Sequence, residues 1–204
     1  MNQPLWMPKR RIEVAFRRSL LDIAKGIVMR VGETTDPRII AATLERLSQA
    51  PGFARLSEAI AMKMVTGLFD DTGRTWREAA RNNSKGREIY EVLRKELQGT
   101  RGARVRSLVQ ENAALIKTLP KNIADDVAEY AAREAMKGRR AADIAEEIQS
   151  MFPAKTRARA ELIARTQVSM THTDLVRSRA EDLGLDWYVW RACGGNQGDG
   201  RTRT

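Results

Sequence analysis

ARAELIARTQVSMTHTDLVRSRAEDLGLDWYVWRACGGNQGDGRTR, residues 158–203, decides the fold. Ala160, Ile163, Ala164, Val168, Thr171, Leu175 and Leu183 recur close to the 3.6-residue period of a helix with one buried face. Gly184 sits where a helix C-terminus takes a left-handed residue. Residues 186–191 (DWYVWR) are dense in aromatic and β-branched side chains and predict a short strand. Glycines at 194, 195, 198 and 200, with Asn196 and Asp199 among them, supply turn chemistry. Helix, cap, strand, turn and basic exit form one unit.

Working outward, Ile123, Val127, Tyr130, Ala131 and Ala135 line a helix that Gly138 ends. A short helix over 141–148 is expected to stop near Met151, Phe152 and Pro153. The basic turn 137–140 joins the two as an αα-hairpin, against which the long helix from Lys155 packs. Further upstream, Pro120 marks the expected domain boundary, because the charge balance changes there as well. Residues 1–119 carry 22 Lys and Arg against 13 Asp and Glu, whereas residues 120–204 carry 14 against 13.

The N-terminal region reads as several helices. After an extended arm over residues 1–8, Pro8 opens a helix with the stripe Ile12, Phe16, Leu20, Ala24, Ile27 and Val31, ended by Gly32. Asp36 caps the next helix with Pro37 at its first position, and Ile39, Ile40, Leu44 and Leu47 follow. After a break at Pro51 and Gly52, Phe53, Leu56, Ile60, Met64 and Leu68 mark a third helix, expected to close at Asp70, Asp71, Thr72 and Gly73. Another helix runs from Trp76 to Leu97 with a polar break at 82–86, and a turn at 99–102 precedes a helix through Val105, Leu108, Ile116 and Leu119. The expected fold is mostly α: a basic helical region over 1–119, then a helical core over 120–204 with a small C-terminal β element.

The core resembles the minor head, or head morphogenesis, proteins of tailed phages (the Mu F-like family). The resemblance rests on Arg159 and Ala160, on Ile163, Ala164, Arg165 and Thr166, on Trp190, and on the run Asp199, Gly200, Arg201, Thr202 and Arg203. The paired helices over 115–152 add to it, so that it covers roughly the last ninety residues. Two features depart from the pattern. Gln167 stands where the family often has an acidic residue, and the family's usual His would fall beyond Thr204, so the natural protein is expected to be longer. The resemblance implies a structural, non-catalytic virion component without cofactors: a low-copy protein at the portal that helps head assembly and DNA packaging or ejection. Its implied partners are the portal protein, capsid or scaffolding proteins and packaged double-stranded DNA. Its implied place is the head interior or portal vertex of the virion, after assembly in the host cytoplasm. The alternatives are a non-catalytic DNA-binding protein, or the N-terminal part of a longer protein with a C-terminal effector enzyme domain.

Composition agrees with a basic helical protein. The chain has 204 residues, a formal net charge of +10 and only 5% aromatic residues. Its uneven charge points to nucleic acid or an acidic protein surface. Lys9, Arg10, Arg11, Arg17 and Arg18 form one candidate group for DNA contact. Arg74, Arg77 and Arg81 form a second, and Arg101, Arg104 and Arg106 a third. Guanidinium groups suit this role because they donate bidentately to phosphate oxygens. Cys193 is alone, so no intrachain disulfide forms. With neither a signal core nor a membrane-length apolar run, an unanchored intracellular protein is expected, with no membrane contact.

Catalytic patterns are missing. No GxxxxGK[ST] loop occurs, and one His with one Cys gives no zinc-ligand spacing, so no metal is expected. Ser169 and His172 are spaced to share a helix face, but Asp174 points elsewhere and Ser169 lies on no nucleophile elbow. Asp70 and Asp71 read as turn residues. Asp199 is expected to accept from Arg165 and clamp the terminal strand onto the long helix. Trp187 and Trp190 fall on opposite strand faces, so at most one need enter the core.

Overall fold

The computed structural model describes residues 7–34, 36–81 and 100–185, which form five helices and, among themselves, no strand. These are α1 (Arg10–Val31), α2 (Pro37–Gln49), α3 (Pro51–Arg81), α4 (Thr100–Met136) and α5 (Ala141–Asp182). The mostly α fold expected from the periodicity is present. The strand expected at 186–191 and the turn beyond it lie outside the described residues.

Local chemistry explains the short connections. Gly32 ends α1 at φ 65°, and its amide donates to the Val28 carbonyl at 3.0 Å. Asp36 caps α2 by accepting from the Arg38 amide at 2.8 Å, with Pro37 pre-set at the first helical position. Gly138 takes φ 76° in the turn between α4 and α5, which pack on each other as an αα-hairpin, but α5 is itself the long helix, so no separate helix from Lys155 packs against the hairpin. Gly184 closes α5 at φ 66°.

Three expected interruptions do not occur. α3 runs through Asp70–Gly73 to Arg81. There the Thr72 hydroxyl donates back to the Leu68 carbonyl at 2.8 Å, and Asp71, Thr72 and Gly73 are all buried. Tertiary burial thus outweighs the turn preference of these residues. Pro120 lies inside the 37-residue α4 and Pro153 inside the 42-residue α5. Each proline removes one helical hydrogen bond and costs about 3 kcal/mol in a helix interior. Its neighbours offset that: Ile116, Leu119 and Ile123 around Pro120, and Ile148, Phe152 and Thr156 around Pro153, are all buried. α4 also starts at Thr100, so residues 100–102 of the expected turn are helical, and Gly99 lies outside the described residues.

One hydrophobic cluster draws on all five helices, from Phe16, Leu20 and Ile27 through Ile40 and Leu44 to Leu68, Ile116, Ile148 and Val168. α1 lies along α5, α4 packs on α2 and α3, and the α4–α5 hairpin closes the bundle. α1 and α3, by contrast, touch each other sparingly. Among the described residues, no helix is long and apolar enough to cross a membrane.

Candidate functional site

The bundle sorts charge between its helices. α1 and α3 together carry 11 Lys and Arg against 6 Asp and Glu, whereas α4 and α5 carry 12 against 12. The basic excess read from the first 119 residues therefore resides largely on two neighbouring helices.

Within the candidate groups, intramolecular pairing decides which cations are available. Arg10, Arg11 and Arg18 are exposed on α1 and, among the described residues, have no carboxylate within ion-pair distance. Arg81 at the end of α3 and Arg106 on α4 are likewise exposed and unpaired, and half-buried Arg77 is also without an ion pair. Three others are engaged. Arg17 binds Glu161 across α1 and α5 at 3.0 Å. Arg74 binds Asp71 at 3.2 Å. Arg104 binds Glu111 at 3.0 Å and Asp174 more closely still. The side chain of Arg101 lies outside the described part.

Lys9 does structural work. It is the N-cap of α1, and its own side chain caps nothing. Asp71, reaching across from α3, accepts the Lys9 amide at 3.3 Å and the Lys9 ammonium at 3.2 Å. A carboxylate at a helix N-terminus meets both an orphan amide and the positive end of the dipole. Asp71, 3% exposed, therefore ties α1 to α3.

Beside this tie lies a polar interior that the sequence reading did not identify. Arg179 is 1% exposed. Its guanidinium donates to the Thr72 hydroxyl and, at 3.0 Å, to the Phe69 carbonyl, and stacks 4.5 Å from the Phe69 ring centre. Gly73 makes room for it, since a Cβ there would stand 3.1 Å from Arg179 Nη2. His172 is buried nearby. Desolvation lowers its pKa below the ordinary histidine value, the Asp71 charge opposes this, and the Arg179 charge adds to it. Ser169 is exposed while His172 is buried, so the two do not share a face, and Asp174 is committed to Arg104. A signal for Arg179 exists in the sequence: it continues the stripe Val168, Thr171, Leu175 at helical spacing, in an apolar register.

Of the resemblance residues, Ala164 is buried, Ile163 packs half-buried against the core, and Arg165 and Thr166 are exposed on α5. Trp190, Asp199, Arg201 and Arg203 lie outside the described residues, and so does one half of the expected Arg165–Asp199 clamp. No group of three or more potential metal ligands occurs among the described residues.

At the opposite end, a charged clasp closes the hairpin. Arg139 donates to Glu147 at 2.6 Å, to Glu134 at 3.2 Å and to the Tyr130 hydroxyl at 3.4 Å. Lys137 binds Glu134 at 2.8 Å. Hydrogen bonding from Lys137, with further bonds from Arg139 and Arg133, lowers the Glu134 pKa against a smaller opposing effect of burial. Bonds from Tyr130 and Arg139 lower that of Glu147, while the Glu147 contact raises the Tyr130 phenol.

The chain matches no protein-family model, no curated protein and no solved structure.

Proposed function

We propose that this chain is a structural, non-catalytic minor head protein of a tailed phage. In this reading it associates with the portal, contacts capsid or scaffolding proteins during assembly in the host cytoplasm, and ends in the virion at the head interior or portal vertex. It touches packaged double-stranded DNA without sequence preference. The observation that carries the proposal is the charge sorting: the helices α1 and α3 hold an excess of five cations, while the helices α4 and α5 balance at 12 against 12. Arg10, Arg11, Arg18, Arg77, Arg81 and Arg106 are the phosphate contacts, since internal carboxylates hold Lys9, Arg17, Arg74 and Arg104. The resemblance of 159–166 and 190–203 to head morphogenesis proteins supplies the biological setting.

Co-expression with the portal protein of the same genome, followed by size-exclusion chromatography in moderate salt, tests this. Co-elution with the portal ring is the expected result. A chain that elutes free of the portal but retains duplex DNA overturns the head-protein reading in favour of a DNA-binding protein. For non-specific contact, affinity should fall steeply with salt and barely with DNA sequence.

A further inference from the structure

The sparse contact between α1 and α3 leaves an open groove of about 430 Å³. Ile12, Phe16, Ile60 and Met64 form an apolar floor. Ala15, Ser19, Thr66 and Gly67 line it with short side chains, so that another backbone can approach closely. Arg11, Lys63 and Arg74 stand at the rim, with Asp70 as the one acid. Leu56, one turn before Ile60 and 46% exposed, extends the apolar strip along α3.

We propose that this groove docks an amphipathic helix of a partner protein whose flanks are acidic. Helices bind in grooves through an apolar stripe at i, i+4 and i+7 spacing. On the groove wall Leu56 and Ile60, one turn apart on α3, run alongside such a stripe, and Lys63 stands at its rim. Charge complementarity selects the flanks: α1 and α3 carry the cationic excess, and neither Arg11 nor Lys63 is neutralised by a described carboxylate. A phosphate backbone fits the outer arginines, but it would leave the floor of Ile12, Phe16, Ile60 and Met64 unmatched. The inference stands independently of the head-protein reading.

The probe is a fluorescent 18-residue helical peptide with leucines on one stripe and glutamates elsewhere, titrated by anisotropy into the full chain. Its lysine-for-glutamate counterpart is the control. Two single variants leave the core intact: Lys63→Glu reverses a rim charge, and Ala15→Leu fills the groove from the exposed side of α1. The acidic peptide should bind one to one and the lysine peptide should not. Each variant should weaken binding by about tenfold or more, with the rim variant also flattening the salt dependence. Unchanged affinity in both variants, at unchanged thermal midpoint, overturns the site. Duplex DNA competes at Arg11 under the proposed function, so the occupant is read from the groove floor: binding of random-sequence DNA weakened by Ala15→Leu as strongly as that of the peptide overturns the helix as occupant. So does a self-association that Ala15→Leu abolishes, which would make a second copy the occupant. A photo-crosslinker at Thr66 that reaches the chain's own residues instead of the peptide overturns it too.

Discussion

The two ends of this bundle solve the same problem in opposite ways. Where the α4–α5 hairpin turns, the interior is mainly apolar, with Ile144, Ile148 and Phe152 buried and the Thr156 hydroxyl bonded within its own helix, and the buried Glu134 joins Arg139 and Glu147 in a clasp over the turn. Where α1 begins and α5 ends, polar groups go inside: Asp71, Thr72, Asn112, Thr171, His172 and Arg179 are all buried. Asn112 there donates to the Thr171 hydroxyl at 3.2 Å and to the Leu108 carbonyl at 2.8 Å. An apolar interior is stabilised by area and tolerates many arrangements. A polar one is stable only when its partners meet, and so it fixes register. The polar end is therefore the place where this bundle specifies how its helices align.

Paired truncations, one at each end, should give the largest effects. Ile148→Ala should destabilise by about 2–5 kcal/mol through lost burial and a cavity. Arg179→Ala should cost about 3–5 kcal/mol, because it removes the guanidinium from the Thr72 and Phe69 oxygens and empties its site against the Phe69 ring. Urea denaturation followed by circular dichroism separates the two. The apolar variant should keep a single sharp transition, whereas the polar one should also broaden it as alignment is lost. Equal cooperativity in both would defeat the distinction drawn between the ends.

Two glycines on α3 sharpen the contrast at smaller scale. A Cβ at Gly67 would meet Ile12 at 3.8 Å, an ordinary contact, whereas at Gly73 it would meet Arg179 Nη2 at 3.1 Å. Replacing an interior helix glycine by alanine gains about 0.5–1 kcal/mol from backbone propensity alone. Gly67→Ala should accordingly raise the thermal midpoint by a few degrees. Gly73→Ala should lower it, because the guanidinium is held by two oxygens and a ring and cannot yield freely. The same sign at both positions would mean that Arg179 is less fixed than its partners imply.

Much of this was legible in the sequence where one residue suffices to set a local structure. Asp36 with Pro37 marked a helix start, and Gly32, Gly138 and Gly184 marked helix ends, because capping depends on immediate neighbours. The prolines misled. Pro120 and Pro153 are helix breakers by local rule, and only the burial of Ile116, Leu119 and Phe152 beside them keeps α4 and α5 continuous. Asp70–Gly73 misled in the same way. Its turn composition is real, but Asp71 is spent on the start of α1, and Gly73 on room for a side chain 106 positions later. Among the cationic candidates, sequence placed the excess on the correct stretch of chain. It could not say that Glu161 neutralises Arg17 or that Asp174 neutralises Arg104, since those pairs exist only after folding.

The smallest effect expected is one of pH, and it belongs to the polar end alone. The pKa of His172 is lowered in the folded chain, first by desolvation, with the Asp71 charge opposing and the Arg179 charge adding to it. Its folded pKa lies below the unfolded value of about 6.5, so the unfolded chain binds the extra proton. Stability from this residue is full above about pH 6.5 and is lost as pH falls toward the lowered folded value, at a slope of at most about 1.4 kcal/mol per pH unit. Glu134 and Glu147, lowered by their clasp, act the same way but only below their ordinary value near 4.5. The two ends thus titrate in separate windows. His172→Asn should flatten the stability profile just below about pH 6.5 and leave the carboxylate window unchanged. Glu147→Gln should do the reverse. If the histidine variant instead shifted the whole profile without changing its slope, His172 would be contributing packing rather than a buried neutral imidazole, and the polar end would lose its one titrating member in that range.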